Sequence, residues 1–247
     1  MRTATTKAAL AITLAAAPIF AHAQQSANVD AVLHQLDVSS ASFKSAEANL
    51  RIDLFERVVK DTTTECGLIY YQRLGTAIQM DSKSSSVSTN ACPADISPSA
   101  AASRIIEYKG GQLQMFEPIA NHLTIINANN NQAQYESFLT LGFGASGRDL
   151  AKAWTITDQG TETINDGTKD IQAVKLQLIA KDAGILKSLT RVLIWVDPAR
   201  GISLKQQFFT PAGDYRTTYF TNIRYNQKVD TGAFAIKTNS KTVKDVH

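Results

Sequence analysis

Cysteine, histidine and long apolar runs are scarce in this sequence, and each scarcity removes a class of function. The 247 residues hold two cysteines, Cys66 and Cys92, and four scattered histidines, His22, His34, His122 and His247. No Cys-x-x-Cys or paired-histidine spacing accompanies them, so a metal site has nothing to recommend it. The apolar run over positions 8–20 is about 13 residues, short of the ~20 that a membrane-spanning helix needs, and no later run approaches that length. An excess of charge of one sign is also lacking: 25 basic residues face 22 acidic ones, a net of +3. That balance argues against nucleic acid as a partner. What is present, 44% hydrophobic residues with 8% aromatics, is the composition of an ordinary folded chain rather than a disordered or collagen-like one.

The first segment reads as a secretory signal peptide over residues 1–23. Arg2 and Lys7 precede the apolar run, and Ala21-His22-Ala23 fits a small-x-small cleavage site. Its removal leaves a single domain over 24–247 and takes away two cations and no acid, so the net charge falls from +3 to +1. A periplasmic protein, soluble after processing, is expected. No cysteine stands at the cleavage site to carry a lipid anchor. An oxidising compartment lets Cys66 and Cys92 pair, and such a bridge would contribute roughly 3.5 kcal/mol through chain entropy. Free thiols and a metal site are the other readings.

Along the remaining chain, Val32, Leu33, Leu36, Phe43 and Ala46 recur at helical spacing, which predicts an amphipathic helix over 29–48 with a break near Ser39-Ser40. The period then changes to two. Leu50, Ile52 and Leu54 share one face of a strand, and a second strand is apolar on both faces, Ile69 and Tyr71 against Leu68 and Tyr70. Residues 81–102, rich in serine and alanine, read as a loop or an insertion pinned by the disulfide. Gly110-Gly111 marks a two-residue hairpin turn between strands over 104–109 and 112–117. Apolar residues interrupted by three glycines predict two short helices over 132–154. Strand patterns follow over 155–164, 171–179, 191–196, 202–210, 215–224 and 234–237, joined by short turns, and this spacing predicts an antiparallel meander.

Gly142-Phe143-Gly144-Ala145-Ser146-Gly147 matches the dinucleotide fingerprint Gly-x-Gly-x-x-Gly letter for letter. The fingerprint works only between a parallel strand and a long helix, and here both flanks read as short helices. A bend between them is the better reading. No nucleophile elbow surrounds Ser146, and the carboxylates on predicted strands fit a solvated outer face. Neither an enzyme nor a cofactor is expected. The apolar strand face leaves two readings open, a filled core or a curved sheet closed by lids over a cavity for an apolar ligand.

The order of an amphipathic helix, a strand, Gly67-Leu68-Ile69-Tyr70-Tyr71-Gln72-Arg73, and a hairpin ending Met115-Phe116-Glu117-Pro118 resembles the periplasmic outer-membrane lipoprotein carrier (LolA) family. Ile194-Trp195-Val196-Asp197-Pro198, Gly201-Ile202 and Pro211-Ala212-Gly213-Asp214 look like that family's final strands. Leu74 stands where the family places a proline.

The resemblance implies an α+β fold, an incompletely closed antiparallel β-barrel of about eleven strands with helical lids over an apolar cavity. It implies acyl chains of lipoproteins or other lipids as cargo, and an inner-membrane lipoprotein-releasing transporter and an outer-membrane acceptor as partners of a monomeric carrier. Arg73 matches the arginine that latches the lid. On this reading Leu50, Ile52, Leu54, Ile69, Tyr71 and Met115 line the acyl-chain cavity, Phe138, Leu141, Phe143 and Leu150 form the lid, and Gly142, Gly144 and Gly147 are its hinge. An envelope lipid or lipoprotein sensor of the same superfamily is the alternative. Such sensors carry a further C-terminal domain, and this sequence ends soon after its last expected strand, so a carrier is the stronger expectation.

Overall fold

Period-two alternation governs the chain from position 45 onward, and it builds one continuous sheet. The computed structural model describes residues 19–75, 77–89, 91–128, 136, 138–229 and 231–247, with side chains from 28 onward. Most of the expected signal peptide, residues 1–18, thus lies outside the described residues. Helix α1 (Ile19–Ser42) leads into β1 (Ser45–Glu56), β2 (Asp61–Leu74), β3 (Ala77–Val87), β4 (Arg104–Lys109), β5 (Gln112–Glu117) and β6 (His122–Asn127). Helix α2 (Gly147–Ala153) and β7 (Trp154–Asn165) open the second half, followed by β8 (Asp170–Ala180), α3 (Ala183–Leu186), β9 (Arg191–Asp197), β10 (Ile202–Phe209) and β11 (Tyr215–Tyr225). A 3-10 turn (Thr231–Phe234) and β12 (Val243–Val246) end it.

The strand order is β12-β6-β5-β4-β3-β2-β1-β11-β10-β9-β8-β7. Its two ends, β12 and β7, do not pair with each other, so the sheet is an incompletely closed barrel. Neighbouring strands are antiparallel except β12, which runs parallel to β6. The expected α+β class and open barrel are what is found, with twelve strands instead of eleven.

The inner face carries two adjoining cores. Val32 and Leu36 of α1 pack with Leu141, Leu150, Trp154, Leu176 and Ile194 in one, and Leu50, Ile69, Tyr71, Met80, Tyr108 and Phe220 form the other around Phe143. The outer face of β2 is also apolar, as expected: Leu68 and Tyr70 are covered by Phe234, with Ile96 beside them. Cys66 and Cys92 are joined by a disulfide that ties the segment carrying Ile96 to β2.

Three local expectations fail. The helix stops at Ser42, without a break at Ser39-Ser40, and Ala46 and Ala48 belong to β1, where they lie buried as strand residues. Small alanines suit either period, and pairing of β1 with both β2 and β11 decides the matter. The serine-rich stretch is not all loop, because positions 77–87 form β3. Its ladders to β2 and β4 satisfy the backbone on both sides, so it needs little apolar patterning. Residues 234–237 are not a strand: Phe234 closes a 3-10 turn and stacks on Tyr70 at 6.1 Å, and the last strand lies further on. The hairpin turn falls at the expected position, with Gly110 and Gly111 both at positive φ (59° and 78°).

Strand β3 carries an unusual group. Asp81 is buried, its Oδ2 accepts from Gln79 Nε2 at 2.9 Å, and its Oδ1 has no partner. Burial pushes its pKa up to about 6; the Gln79 bond opposes this, the Glu107 charge adds to it and Lys109 opposes it. A raised carboxyl pKa favours the fold while the group is protonated, below its unfolded value near 3.8, and that advantage is lost as pH rises through about 6. Asp81→Asn should therefore stabilise the protein at pH 7.5, by at most about 3 kcal/mol on the linkage scale, with the gain gone by pH 4. Thermal melts at the two pH values test this, and an equal gain at both would contradict it.

Candidate functional site

The glycine-rich segment over 138–146 lies on the inner face of the sheet, and polar contacts hold it there at four points. Arg73, at the end of β2, donates from Nη2 to the Gly144 carbonyl at 2.7 Å. The same guanidinium donates to the carbonyls of Ser40 (3.4 Å) and Phe43 (3.3 Å), and lies 5.8 Å from the Phe43 ring centre. Ser40, in the last turn of α1, donates its hydroxyl to the same Gly144 carbonyl at 2.7 Å. From β10, the Ser203 amide donates to the Gly142 carbonyl at 3.0 Å, and Gln206 Nε2 donates to the Leu141 carbonyl. One arginine thus joins the end of α1, the strand β2 and the glycine-rich segment.

Packing completes the seat. Leu141 and Phe143 are fully buried. Phe143 lies flat on Tyr71, ring centres 4.7 Å apart with a 7° interplanar angle, and meets Phe220 edge-on at 4.9 Å. Burial raises the Tyr71 pKa well above its ordinary value. Gly142 and Gly144 adopt positive φ (73° and 80°). A Cβ on Gly142 would sit 2.2 Å from that of Ser203, and one on Gly144 would meet Ile78 and Phe43. At Gly147 an added Cβ would lie 2.0 Å from the Leu33 carbonyl of α1. These three positions allow close approach of backbone to sheet and helix. Ser146 then caps α2, its hydroxyl accepting from the Asp149 amide at 3.1 Å.

The fingerprint-like glycines therefore form a seat on a sheet. Asp166, at the spacing of a ribose-binding acid, is used elsewhere. It accepts from the Thr168 and Lys169 amides and from Arg200 Nη2 at 2.7 Å, and these bonds outweigh its burial to bring its pKa down to about 2. It is a turn-forming group.

Beside the seated segment is a cavity of about 670 Å³ at the end of β1, β10 and β11, closed by Phe138 and Leu139 on one side and by α3 on another. Leu54, Phe208, Ile185 and Leu189 give it apolar walls, and Arg216 and Asp214 also line it. A second cavity, of about 720 Å³, borders these contacts: Arg73, Ser40 and Gly144 line it with the charged Asp149, Lys152, Lys181 and Asp182.

The residues expected to line an acyl cavity divide into groups. Leu50, Ile69 and Tyr71 are brought together in the core beneath Phe143, with Ile52 packed against them. Leu54 faces the cavity. Met115 is half-buried and pairs with Ile106 on the same side of the sheet. Of the expected lid, Phe138 borders the cavity, Leu141 and Phe143 fill the core, and Leu150 is buried in α2. The sequence alone does not single out Ser40, Ser203 or Gln206. Gln206 alone leaves a signal there, as a polar residue two places before Phe208 on an inward-facing alternation.

Among the described residues no group of three potential ligands could hold a metal ion, and no helix is long and apolar enough to cross a membrane. No family model matches the sequence, and no curated protein does either. The architecture itself, an open antiparallel barrel, has a counterpart of known structure. An uncharacterized conserved protein from Thermus thermophilus superposes with a TM-score of 0.51 at 8% identity, over 89% of this chain and 99% of the other. A putative outer membrane lipoprotein-sorting protein domain from Vibrio parahaemolyticus gives 0.42 at 11% identity, covering 83% and 95%. A LolA superfamily protein from Nitrosomonas europaea gives 0.39 at 12% identity, covering 84% and 97%. The first of these is a likeness of fold.

If the segment is seated as described, Gly142→Ala should cost about 1–3 kcal/mol, through strain at positive φ and the collision with Ser203. Urea unfolding measures this, and a variant as stable as the parent would contradict the seating.

Proposed function

We propose that this chain is a LolA-like envelope carrier, exported with removal of residues 1–23, that shelters an acyl chain of a lipoprotein or lipid between membranes. The observation that carries this reading is the latch, in which Arg73 and Ser40 both hold the Gly144 carbonyl of a segment whose aromatic side chain plugs the sheet. On this proposal the protein works as a monomer, receives cargo from an inner-membrane transporter and yields it to an outer-membrane acceptor.

The energetics suit an exchange. An acyl chain of sixteen carbons carries on the order of 12 kcal/mol of transfer free energy from water. Unseating the lid exposes Leu141 and Phe143, at about 1.5–3 kcal/mol each, and breaks four hydrogen-bonded contacts of about 1 kcal/mol each. The two quantities are of similar size. A chain entering beneath the lid replaces the burial that Phe143 gives up, and re-closure of the latch helps to expel it. Arg73 is well suited to this because its fixed fork of donors reaches several carbonyls at once.

Arg73→Leu should then slow cargo release, by about tenfold or more if one or two charge-assisted bonds are lost, while uptake stays near that of the parent. Protein loaded with an acylated lipoprotein and challenged with acceptor membranes provides the assay. Equal transfer by variant and parent would overturn the latch role.

A further inference from the structure

Arginine in this structure is almost always partnered. Arg51, Arg104, Arg148, Arg200 and Arg224 form ion pairs, and Arg57 and Arg73 donate to carbonyls. Among the described residues only Arg191 and Arg216 have no acceptor, and of these only Arg216 faces the cavity. It pairs across the ladders with Leu54 of β1 and Phe208 of β10, which places its side chain on the inner face of the sheet with theirs. Its guanidinium lies 5.0 Å from the Phe208 ring centre. Its side chain is exposed to solvent where it lines the cavity. It remains a cation at neutral pH.

A guanidinium beside apolar walls with no acceptor among the described residues is free to pair with an anion, and a cavity meant only for hydrocarbon has no use for one. The one acid in the lining, Asp214, accepts from the Arg57 amide at 2.8 Å and forms no ion pair with Arg216. We infer that the cavity takes a single acyl chain ending in an anionic head group, carboxylate or phosphate, which Arg216 binds through its paired donors while Leu54, Phe138 and Phe208 enclose the chain. The volume of about 670 Å³ falls in the ~300–1,000 Å³ range of small-ligand sites, room for the head group and the near part of one chain, whose remainder passes beneath the seated segment. This inference rests on the apolar-carrier reading and narrows its cargo.

The test is calorimetric titration of delipidated protein, below the micellar range, with palmitate, 1-palmitoyl lysophosphatidate and the neutral 1-monopalmitoylglycerol. At least one anionic lipid should bind about tenfold to a hundredfold more tightly than the neutral one, the gain of a charge-assisted pair, and the tighter of the two identifies the head group. Arg216→Gln should remove that advantage and leave the neutral lipid unaffected. Equal binding of all three overturns the anionic-head inference and leaves the carrier reading standing. Binding of none overturns the carrier reading itself. The comparison of lipids on the unaltered protein decides the matter even where a variant folds poorly.

Discussion

Everything about the site depends on how one short segment, residues 141–144, sits on the inner face of the sheet. Its side chains fill the space that a lidded barrel would otherwise leave empty, with Phe143 between Tyr71 and Phe220, and its carbonyls are held from three elements at once. Both contributions are modest individually and comparable in total to what an acyl chain offers. A much weaker seat would leave apolar surface in water, and on the proposed carrier reading a much stronger one would exclude cargo.

This balance explains the local backbone. A segment that lies against strand β10 has no room for a side chain at Gly142, and the irregular register of β10 between Ser203 and Lys205 falls where the segment docks. Gln206, a polar residue facing an apolar core, is accounted for by the Leu141 carbonyl it satisfies, while the Ser203 hydroxyl donates to the Lys205 carbonyl and its amide holds Gly142. Arg216 stands apart from these, a cation lining the cavity with no acceptor among the described residues.

Much of this is legible in the sequence where a residue type permits only one geometry. The Gly110-Gly111 turn, the two apolar faces of β2 and the inward set Leu50, Ile69 and Tyr71 follow from period and turn chemistry alone. Strand β3 imitates a loop because its backbone is satisfied by two neighbours, so its serines cost little. The end of α1 is ambiguous because alanine suits either period. The second donor of the latch, Ser40, and the cavity cation, Arg216, stay hidden for a different reason. A serine near a helix end and a charge on an alternating strand look solvent-facing until the strand order β1-β11-β10 shows what lies opposite.

The central claim is that an incoming chain displaces the seated segment, and the Ser203 amide reports on it directly, since its hydrogen bond goes to the Gly142 carbonyl. Hydrogen exchange at that amide, followed with and without a bound palmitoyl chain, measures whether the seat is vacated. The account predicts strong protection in the empty protein and its loss when the chain is bound. Protection that persists with the chain fully bound would contradict it.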